Sequence, residues 1–286
     1  MSTDLQPSSV THRYARVLTI AGSDSGGGAG IQADLKTFAA LGCYGMSAIT
    51  ALTAQNTVGV QAIHAVPPAF LRQQICSVLD DIGVDVLKIG MLHAPEVVEV
   101  VAWAIDHYRI PRVVLDPVMV ATSGDRLIAH ETVDVLVREL FPRVTLVTPN
   151  LDEAALLLGH RIDGVEGLEP AARALLALGA PAALLKGGHL PGDEVVDLLV
   201  QPGRPALRLA SPRIASRNVH GTGCTLSSAI AAHLALGHDL QTAVRRGRDF
   251  IVQAIAAGAG VCTGQGHGPL NHGYAPVSMH LLDARA

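Results

Sequence analysis

The 286-residue sequence has few aromatic residues, which make up 3% of the chain, and few charged residues, which make up 16%. Its formal net charge is −4 at pH 7, so it lacks the excess of lysine and arginine that binds nucleic-acid phosphates. With so few rings, it also lacks platforms on which single-stranded bases could stack. We therefore expect no nucleic-acid partner and a core built from aliphatic side chains.

Long hydrophobic runs are also missing. Hydrophobic residues reach 49%, yet no apolar run approaches the roughly 18 residues that a membrane-spanning helix needs. The segment from Met1 to Arg16 is polar, and the short apolar stretch after it ends at Ser23 and Asp24, unlike a secretory leader. These features predict no membrane partner and a cytoplasmic location.

Several well-known catalytic and metal-binding motifs are absent. The four cysteines are far apart and form no C-x-x-C pair, which argues against a zinc site or a disulfide framework and favours small buried hydrophobes. The 13 histidines include no H-E-x-x-H, and no serine lies in G-x-S-x-G. We therefore expect neither zinc chemistry nor an α/β-hydrolase.

Short aliphatic runs alternate with longer amphipathic segments. The runs are nearly continuous in apolar residues, which is typical of parallel strands buried on both faces. The amphipathic segments have helical periodicity and suit crossover helices, so the pattern predicts an α/β fold with an open, mostly parallel sheet covered on both sides. The predicted strands are 17–21, 47–52, 86–89, 113–115, 144–147 and 183–185; the predicted helices are 32–41, 69–79, 96–108, 130–140, 169–178, 225–236 and 240–257.

The chain is expected to form a single domain over residues 16–286, preceded by a flexible tail over residues 1–15. Between Val195 and Leu209, two short apolar runs flank a Pro/Gly turn, which predicts an antiparallel hairpin at the sheet edge. In open α/β sheets, ligands bind where strands end and helices begin. The candidate functional residues lie at such junctions.

The first predicted strand leads into the glycine-rich segment GSDSGGGAGIQAD, from Gly22 to Asp34. Glycine allows the backbone to approach a ligand closely, although a tight strand-to-helix turn would explain the composition equally well, with Asp24 as a turn residue. The spacing matches neither G-x-G-x-x-G nor G-x-x-x-x-G-K-[ST]. A dinucleotide-binding oxidoreductase is thus a remote alternative.

A second glycine-opened turn, GTGC from Gly221 to Cys224, precedes an apolar helical segment. Free backbone N–H groups and the helix dipole make such a turn suitable for a phosphoryl group. Cys224 lies at the same helix end, where the pKa of a thiol is commonly lowered and a thiolate could accept a proton. A simple helix start with a packing cysteine is the alternative.

Four further junctions carry polar side chains. In TPNLDE, Asn150 and Glu153 have capping-box spacing, and the same side chains could hold water around Mg²⁺. Lys186 ends a buried strand, where a phosphate would satisfy its ammonium, and Asp116 starts a turn before a proline. Gln55 presents an amide that could pair with an aminopyrimidine edge, or bond its own backbone.

Taken in order, eight segments resemble the hydroxymethylpyrimidine/phosphomethylpyrimidine kinases of thiamine synthesis, within the ribokinase-like superfamily. They are GSDSGGGAGIQAD, ITALTAQNT, KIGML, VLDPVM, SGD, TPNLDEA, LLKGG and HGTGCTLSSAIAA, between about Arg16 and about His272. The resemblance implies a three-layer α/β/α sandwich. It also implies transfer of the γ-phosphate of MgATP to 4-amino-5-hydroxymethyl-2-methylpyrimidine, and then to the monophosphate. Relatives are commonly homodimers, and the sequence leaves open whether K⁺ assists.

The resemblance also assigns roles to individual residues. Gln55 would bind the aminopyrimidine edge, Cys224 would be the base, and Ser123–Asp125 would belong to a flap over the site. Lys186, Asn150 and Thr222 would contact the nucleotide, and Glu153 with Asn150 would hold Mg²⁺ through water. The anion hole would comprise Gly221, Thr222 and Gly223, and the pyrimidine pocket Gly22, Ala29, Asp34, Thr53, Gln55, Met91, Val118 and Cys224.

Three points qualify this expectation. Ser25 and Gly26 replace the Pro-Ser that the family often has before the glycines, which predicts a less ordered first loop. A pyridoxal or pyridoxine kinase on the same scaffold is the nearest alternative, although Gln55 and Met91 favour a pyrimidine. A non-catalytic ligand sensor is a second alternative, but it would not need Lys186, Glu153 and the GTGC turn.

Overall fold

The computed structural model describes residues 11–119, 128 and 130–284. Within these residues, the chain forms a nine-stranded sheet and a separate two-stranded sheet. The strands are β1 (His12–Tyr14), β2 (Arg16–Asp24), β3 (Tyr44–Gln55), β4 (Val60–Ala65), β5 (Val86–Ile89), β6 (Val113–Leu115), β7 (Leu146–Val147), β8 (Ala183–Lys186), β9 (Glu194–Val200), β10 (Leu207–Pro212) and β11 (Leu281–Asp283). The helices are α1 (Gly30–Ala40), α2 (Pro68–Leu79), α3 (Pro95–Tyr108), α4 (His130–Leu140), α5 (Leu151–Leu158), α6 (Leu168–Ala177), α7 (Thr222–Ala235) and α8 (Leu240–Gly258).

The large sheet has the strand order β10-β9-β8-β7-β6-β5-β2-β3-β4. The strands from β8 through β3 in this order are parallel, whereas β4, β9 and β10 pair antiparallel with their neighbours. The β9–β10 hairpin at the sheet edge confirms the hairpin predicted from the sequence. The carboxyl ends of the parallel strands consequently meet along one edge.

Alternating side chains of the central strands form two separate cores. Leu87 and Ile89 of β5 pack in one core with α2 through α6, whereas Val86 packs in the other with α1, α7 and α8. In β6, Val113 and Leu115 pack in the first core and Val114 packs in the second. Successive side chains of a strand point to opposite faces, so apolar runs buried on both sides require helices on both sides. The predicted three-layer α/β/α sandwich is confirmed.

All the strands and helices predicted from periodicity are present, some with the predicted bounds and the others with shifted ends. Three strands were not predicted: β4, whose residues are mostly exposed, and β1 and β11, which pair antiparallel. The flexible tail over residues 1–15 is therefore wrong for residues 12–15. Strand β1 lies on β11, and Ala15 is fully buried. The expectation failed because the partner strand is distant in sequence.

No helix in the described part of the chain is both long and apolar enough to cross a lipid bilayer.

Candidate active site

A cavity of about 780 Å³ opens at the carboxyl edge of the parallel strands. It is lined by residues at or just beyond the ends of β2, β3, β5, β6, β7 and β8, and by the first turn of α7. The fold thus brings together segments that are up to about two hundred residues apart in sequence. Every predicted site residue except Asp34 lines it: Gly22, Ala29, Thr53, Gln55, Met91, Val118, Asn150, Glu153, Lys186, Gly221, Thr222, Gly223 and Cys224. The predicted flap at Ser123–Asp125 lies outside the described residues.

The two glycine-rich loops pack directly against each other. Gly221, the N-cap of α7, has a φ of 85°, in the left-handed region that favours glycine. A Cβ at this position would overlap the carbonyl oxygen of Gly28 in the first loop. The close approach therefore requires glycine at residue 221, and it holds the start of α7 beside the pocket formed by the first loop.

Asp24 organises the first loop. Its buried carboxylate accepts hydrogen bonds from the backbone N–H groups of Gly26 (2.8 Å), Gly28 (3.0 Å) and Ala29 (2.8 Å), and lies 2.9 Å from His220 Nε2. Burial by itself would raise the pKa of Asp24, but the hydrogen bonds from His220 and the backbone outweigh it, so the pKa is lowered. The ionised carboxylate accepts, so His220 donates from Nε2. Asp24 is therefore an anchor for the loop and more than a turn residue.

Ser25 closes the same loop onto the end of β3. Its Oγ donates to the carbonyl oxygen of Gln55 at 2.7 Å and accepts the Gln55 N–H at 2.8 Å. These two bonds supply a restraint on the backbone where the family often has a proline. The loss of loop order expected without the proline is thus offset by these side-chain hydrogen bonds.

The Gln55 amide faces the cavity from the end of β3. Its Oε1 accepts a hydrogen bond from Thr53 Oγ1 at 3.2 Å, and its Nε2 lies 3.4 Å from His220 Nε2. Because His220 Nε2 already donates to Asp24, two donor nitrogens meet at this long contact, and it contributes little hydrogen-bond energy. The amide can therefore turn towards a ligand at low cost.

Cys224 lies in the first turn of α7 and is partly exposed to the cavity. Burial raises the pKa of its thiol to about 11; Lys88 acts in the opposite direction, and Asp34 and Asp116 add to the increase. The lowered thiol pKa expected at a helix start is therefore wrong, because desolvation outweighs the helix dipole. The resting thiol is protonated at neutral pH.

Lys186 and Asp116 form an ion pair beside the α7 turn. Lys186 Nζ lies 2.8 Å from Asp116 Oδ1, and Asp116 also accepts hydrogen bonds from Thr148 (3.2 Å) and Ser227 (3.4 Å). Burial would raise the pKa of Asp116, but the charges of Lys186 and Lys88 and the hydrogen bonds from Lys186 and Thr148 together outweigh it, and the pKa is lowered. A Cβ on Gly223 would lie 3.1 Å from Lys186 Nζ. The ammonium thus lies next to the predicted anion hole.

Asn150 and Glu153 form the capping box that their spacing predicts, at the start of α5. Asn150 Oδ1 accepts the Glu153 N–H at 2.9 Å, and Glu153 Oε2 accepts the Asn150 N–H at 2.8 Å. Both residues also line the cavity. Burial raises the pKa of Glu153 to about 7, with Lys186 opposing this and Asp116 adding to it. The cap and a role in ligand binding are compatible.

The donor set fits Mg²⁺ bound through water. Among the described residues, no three His, Cys, Asp or Glu side chains group together as a direct metal cage. Mg²⁺ prefers oxygen ligands and usually retains several waters while binding one or two carboxylates and substrate phosphates. Glu153 supplies a carboxylate and Asn150 an amide oxygen at the cavity wall, in agreement with that mode.

Asp34 does not line the cavity. Its side chain is fully buried and accepts hydrogen bonds from Thr19 Oγ1 (2.7 Å), Ser228 Oγ (2.7 Å) and Lys88 Nζ (2.9 and 3.0 Å). Its oxygens are therefore engaged within the protein. The predicted contact between Asp34 and a pyrimidine does not agree with this position, because α1 turns the side chain inwards under the loop.

Sequence reasoning missed several residues of the site. His220 and Asp24 are 196 positions apart, so no local spacing indicated their contact. A group of apolar residues that line the cavity was not predicted either, since they come from the β10–α7 connection and from α8. Lys88 was detectable, as a lysine within an otherwise apolar strand. The apolar lining residues are Ile214, Val219, Ile251, Val252 and Ile255.

Comparison with known proteins agrees with this geometry. A family model described as phosphomethylpyrimidine kinase matches residues 24–271. The chain is 51% identical over 259 residues to the hydroxymethylpyrimidine/phosphomethylpyrimidine kinase of Streptomyces coelicolor, covering 91% of this chain and 94% of that protein. It is 53% identical over 256 residues to the thiamine biosynthesis bifunctional protein of Geobacter sulfurreducens, covering 90% of this chain. The chain spans about half of that protein, 52% of its length.

A solved structure shows the same fold. Bacillus subtilis pyridoxal kinase, in an ADP complex, matches with a TM-score of 0.84 and 37% identity, covering 91% of this chain and 98% of that chain. The resemblance noted from the sequence is confirmed by these matches. The chain is a kinase and belongs to the phosphomethylpyrimidine kinase family.

Proposed function

We propose that this chain transfers the γ-phosphate of ATP to the hydroxymethyl group of 4-amino-5-hydroxymethyl-2-methylpyrimidine, and then a second phosphate to the monophosphate. The observation that carries the proposal is the joining of three groups in one cavity: the Gln55 amide, the Gly221–Cys224 turn and the Lys186 ammonium. An aminopyrimidine, a phosphoryl group and a nucleotide phosphate would each find a matching partner there. The names of the relatives agree with this substrate class.

In this proposal, Gln55 pairs with the N–C–NH₂ edge of the ring, and Met91 and Val118 pack on its faces. The alcohol then points towards the first turn of α7. ATP would place its base against the apolar side chains of Ile214, Val219 and Ile255, which also line the cavity. Its phosphates would reach Lys186 and Thr222. This arrangement would bring the alcohol oxygen and the γ-phosphorus together for the transfer.

During transfer, the alcohol oxygen forms a bond to the γ-phosphorus while the bond from that phosphorus to the β,γ-bridging oxygen breaks, releasing ADP. The N–H groups at the start of α7 and the Lys186 ammonium would stabilise the charge on the phosphoryl oxygens. The alcohol proton would pass to the Cys224 sulfur when the thiolate is present. Bound Mg²⁺, held through water by Glu153 and Asn150, would neutralise part of the phosphate charge.

Product analysis tests the reaction itself. Incubation with MgATP and the pyrimidine alcohol is expected to give first the monophosphate and then the diphosphate, with one ADP formed per transfer. ATP hydrolysis without phosphorylated pyrimidine, or no ATP consumption at all, would contradict the proposal. The second result would favour a ligand sensor. Parallel reactions with Na⁺ or K⁺ salts measure the contribution of a monovalent cation.

A pyridoxal kinase is the second candidate, because the match to Bacillus subtilis pyridoxal kinase covers nearly all of that protein. The two rings differ at the edge that Gln55 faces. We expect kcat/KM for the pyrimidine alcohol to exceed that for pyridoxal, and Gln55→Ala to reduce the preference by about tenfold. A higher kcat/KM for pyridoxal would reverse the order of the two candidates.

Cys224 carries the proposed base role. Cys224→Ala is expected to lower kcat by roughly 10²–10⁴-fold, the usual range for loss of a general base. Because the thiol pKa is about 11, kcat/KM of the wild type should rise about tenfold per pH unit from pH 7 to 9 as the thiolate fraction grows. The Ala variant should lose this rise. Unchanged turnover in the variant would remove Cys224 from the mechanism.

The resemblance also predicts a homodimer, and the sequence pattern predicts a cytoplasmic location; we retain both as proposals. Sedimentation equilibrium of the purified chain tests the first, with a mass of twice 29.7 kDa expected. Fractionation of cells that produce the chain tests the second.

A further inference from the structure

Lys88 is a charged residue inside a central strand of the sheet. Its side chain is completely buried, and its sequence neighbours in β5 are the apolar Leu87 and Ile89. Burying an ammonium is costly unless it is paired and hydrogen-bonded. Burial acts to lower the pKa of Lys88, but Asp34 and other negative groups outweigh it and raise the pKa, so the ammonium is charged. The fold thus keeps a positive charge at a place where an aliphatic side chain would be cheaper.

Asp34 holds this charge and ties it to α7. One Asp34 oxygen accepts from Lys88 Nζ and Ser228 Oγ, and the other accepts from Lys88 Nζ and Thr19 Oγ1. These bonds join α1, β2, β5 and α7 at one carboxylate. Ser228 lies four residues after Cys224, on the same face of α7 and one turn further on. The network therefore ends directly behind the first turn of α7.

The Lys88 ammonium also lies just behind the cavity wall. A Cβ added to Gly90, which lines the cavity, would be 3.1 Å from Lys88 Nζ. At Cys224, the attraction of Lys88 is larger than the repulsion from Asp34 and larger than the repulsion from Asp116, each taken singly. Of the two charges in the ion pair, the positive one therefore has the larger effect on the thiol. Such a charge in a low-dielectric interior acts more strongly than the same charge in water.

We propose that Lys88 is a positioning residue for the transfer: its buried ammonium, fixed by Asp34, stabilises negative charge on the Cys224 sulfur, while the Asp34–Ser228 bond holds the first turn of α7 at the cavity. The catalytic consequence rests on the proposed function, in which Cys224 accepts the alcohol proton. The relation between the two side chains does not depend on it.

The test compares two variants, one of which removes a positive charge near Cys224 and the other a negative charge. The rate of Cys224 alkylation by iodoacetamide is measured by peptide mass spectrometry at pH 8, without ATP or pyrimidine. Lys88→Met is expected to slow alkylation about tenfold, which corresponds to one pKa unit. Asp34→Asn, which removes the negative end, is expected to accelerate it several-fold. A purely structural role would not move the two rates in opposite directions.

Lys88→Met leaves an unpaired buried carboxylate and is the variant most at risk of not folding. The double variant Lys88→Met with Asp34→Asn removes both charges and avoids that cost. Compared with Asp34→Asn alone, it is expected to be alkylated about tenfold more slowly, which isolates the Lys88 effect. Thr19→Val removes one hydrogen bond to Asp34 and keeps both charges, so its Cys224 rate should equal that of the wild type. The exposed Cys262 provides an internal control in every sample.

In the same variants, Lys88→Met should lower kcat about tenfold while KM for ATP changes less than about threefold. Equal Cys224 alkylation rates in folded Asp34→Asn and double variants would overturn the proposal, as would rates that move in the same direction in both single variants. The alkylation result stands even where no pyrimidine turnover is found. A failure of the proposed function and a failure of this inference are therefore distinguishable.

Discussion

At the scale of single residues, the contact between Gly221 and Gly28 is the most demanding in the site. Gly221→Ala combines a left-handed φ with an overlap on a carbonyl oxygen. We expect it to lower the free energy of unfolding by about 3 kcal/mol, through about 1 kcal/mol of backbone strain and the rest from overpacking. Urea denaturation measures the loss, and kcat should fall because the start of α7 moves.

Gly237→Ala is the matched control for that substitution. Gly237 has a φ of 89°, yet a Cβ there would meet no atom within 4 Å. Only the backbone strain of about 1 kcal/mol should appear, with kcat unchanged. Equal losses of stability in the two variants would show that the contact between the two loops is not tight.

At the scale of elements, the start of α5 serves both the helix and the site. Asn150→Ala removes the side-chain acceptor of the Glu153 N–H and should lower the free energy of unfolding by about 1 kcal/mol. Since the same side chain is proposed to hold Mg²⁺ through water, KM for MgATP should also rise, about tenfold. Steady-state kinetics at varied Mg²⁺ concentration measure the second effect.

The start of α8 offers the corresponding control. Asp239 caps it by accepting the Thr242 N–H at 3.0 Å, and it does not line the cavity. Asp239→Ala should lower stability while leaving KM for MgATP unchanged. An unaltered KM in Asn150→Ala would separate the cap from metal binding and leave α5 with a structural role alone.

Element types were predictable from the sequence where burial is complete. The runs at 86–89 and 113–115 are apolar on both faces, so their periodicity alone indicates central strands, and the observed bounds agree. Strand β4 could not be found in this way, because its residues are mostly exposed and it exists through pairing with β3. Strands β1 and β11 likewise depend on a partner at the other end of the chain.

The candidate site was predictable to the extent that it lies in local motifs. Residues such as Gln55, Lys186 and Cys224 follow strands or start helices, and the topology brings them to one edge. The electrostatics could not be predicted, since the pKa of Cys224 depends on burial and on Lys88, which is 136 positions away. Asp34 shows the same limit: its residue type suits a ligand contact, but α1 directs it into the protein.

At the scale of the whole molecule, two buried histidines predict how stability depends on pH. Burial lowers the pKa of His233 to about 4 and that of His272 to about 4. Both pKa values are lower in the folded than in the unfolded protein, so their contribution is present above about pH 6.5 and is lost as pH falls towards 4. We expect each to cost about 1–2 kcal/mol of unfolding free energy between pH 7.5 and pH 5.

Urea denaturation at the two pH values tests this expectation. His233→Gln and His272→Gln should each flatten the dependence on pH, while His64→Gln, at an exposed position of β4, should leave it unchanged. A wild-type stability that is constant between pH 7.5 and pH 5 would contradict protonation of the histidines as the cause.

The contact between Asp24 and His220 has a consequence for how the protein is made. The two residues are 196 positions apart. At a translation rate of about 5–20 residues per second, His220 is therefore added roughly 10–40 s after Asp24. Until then, the growing chain carries the Asp24 carboxylate without the imidazole that favours its ionised form. The pocket is thus completed late in translation, and a product terminated before residue 220 would contain the first loop without the histidine that contacts it.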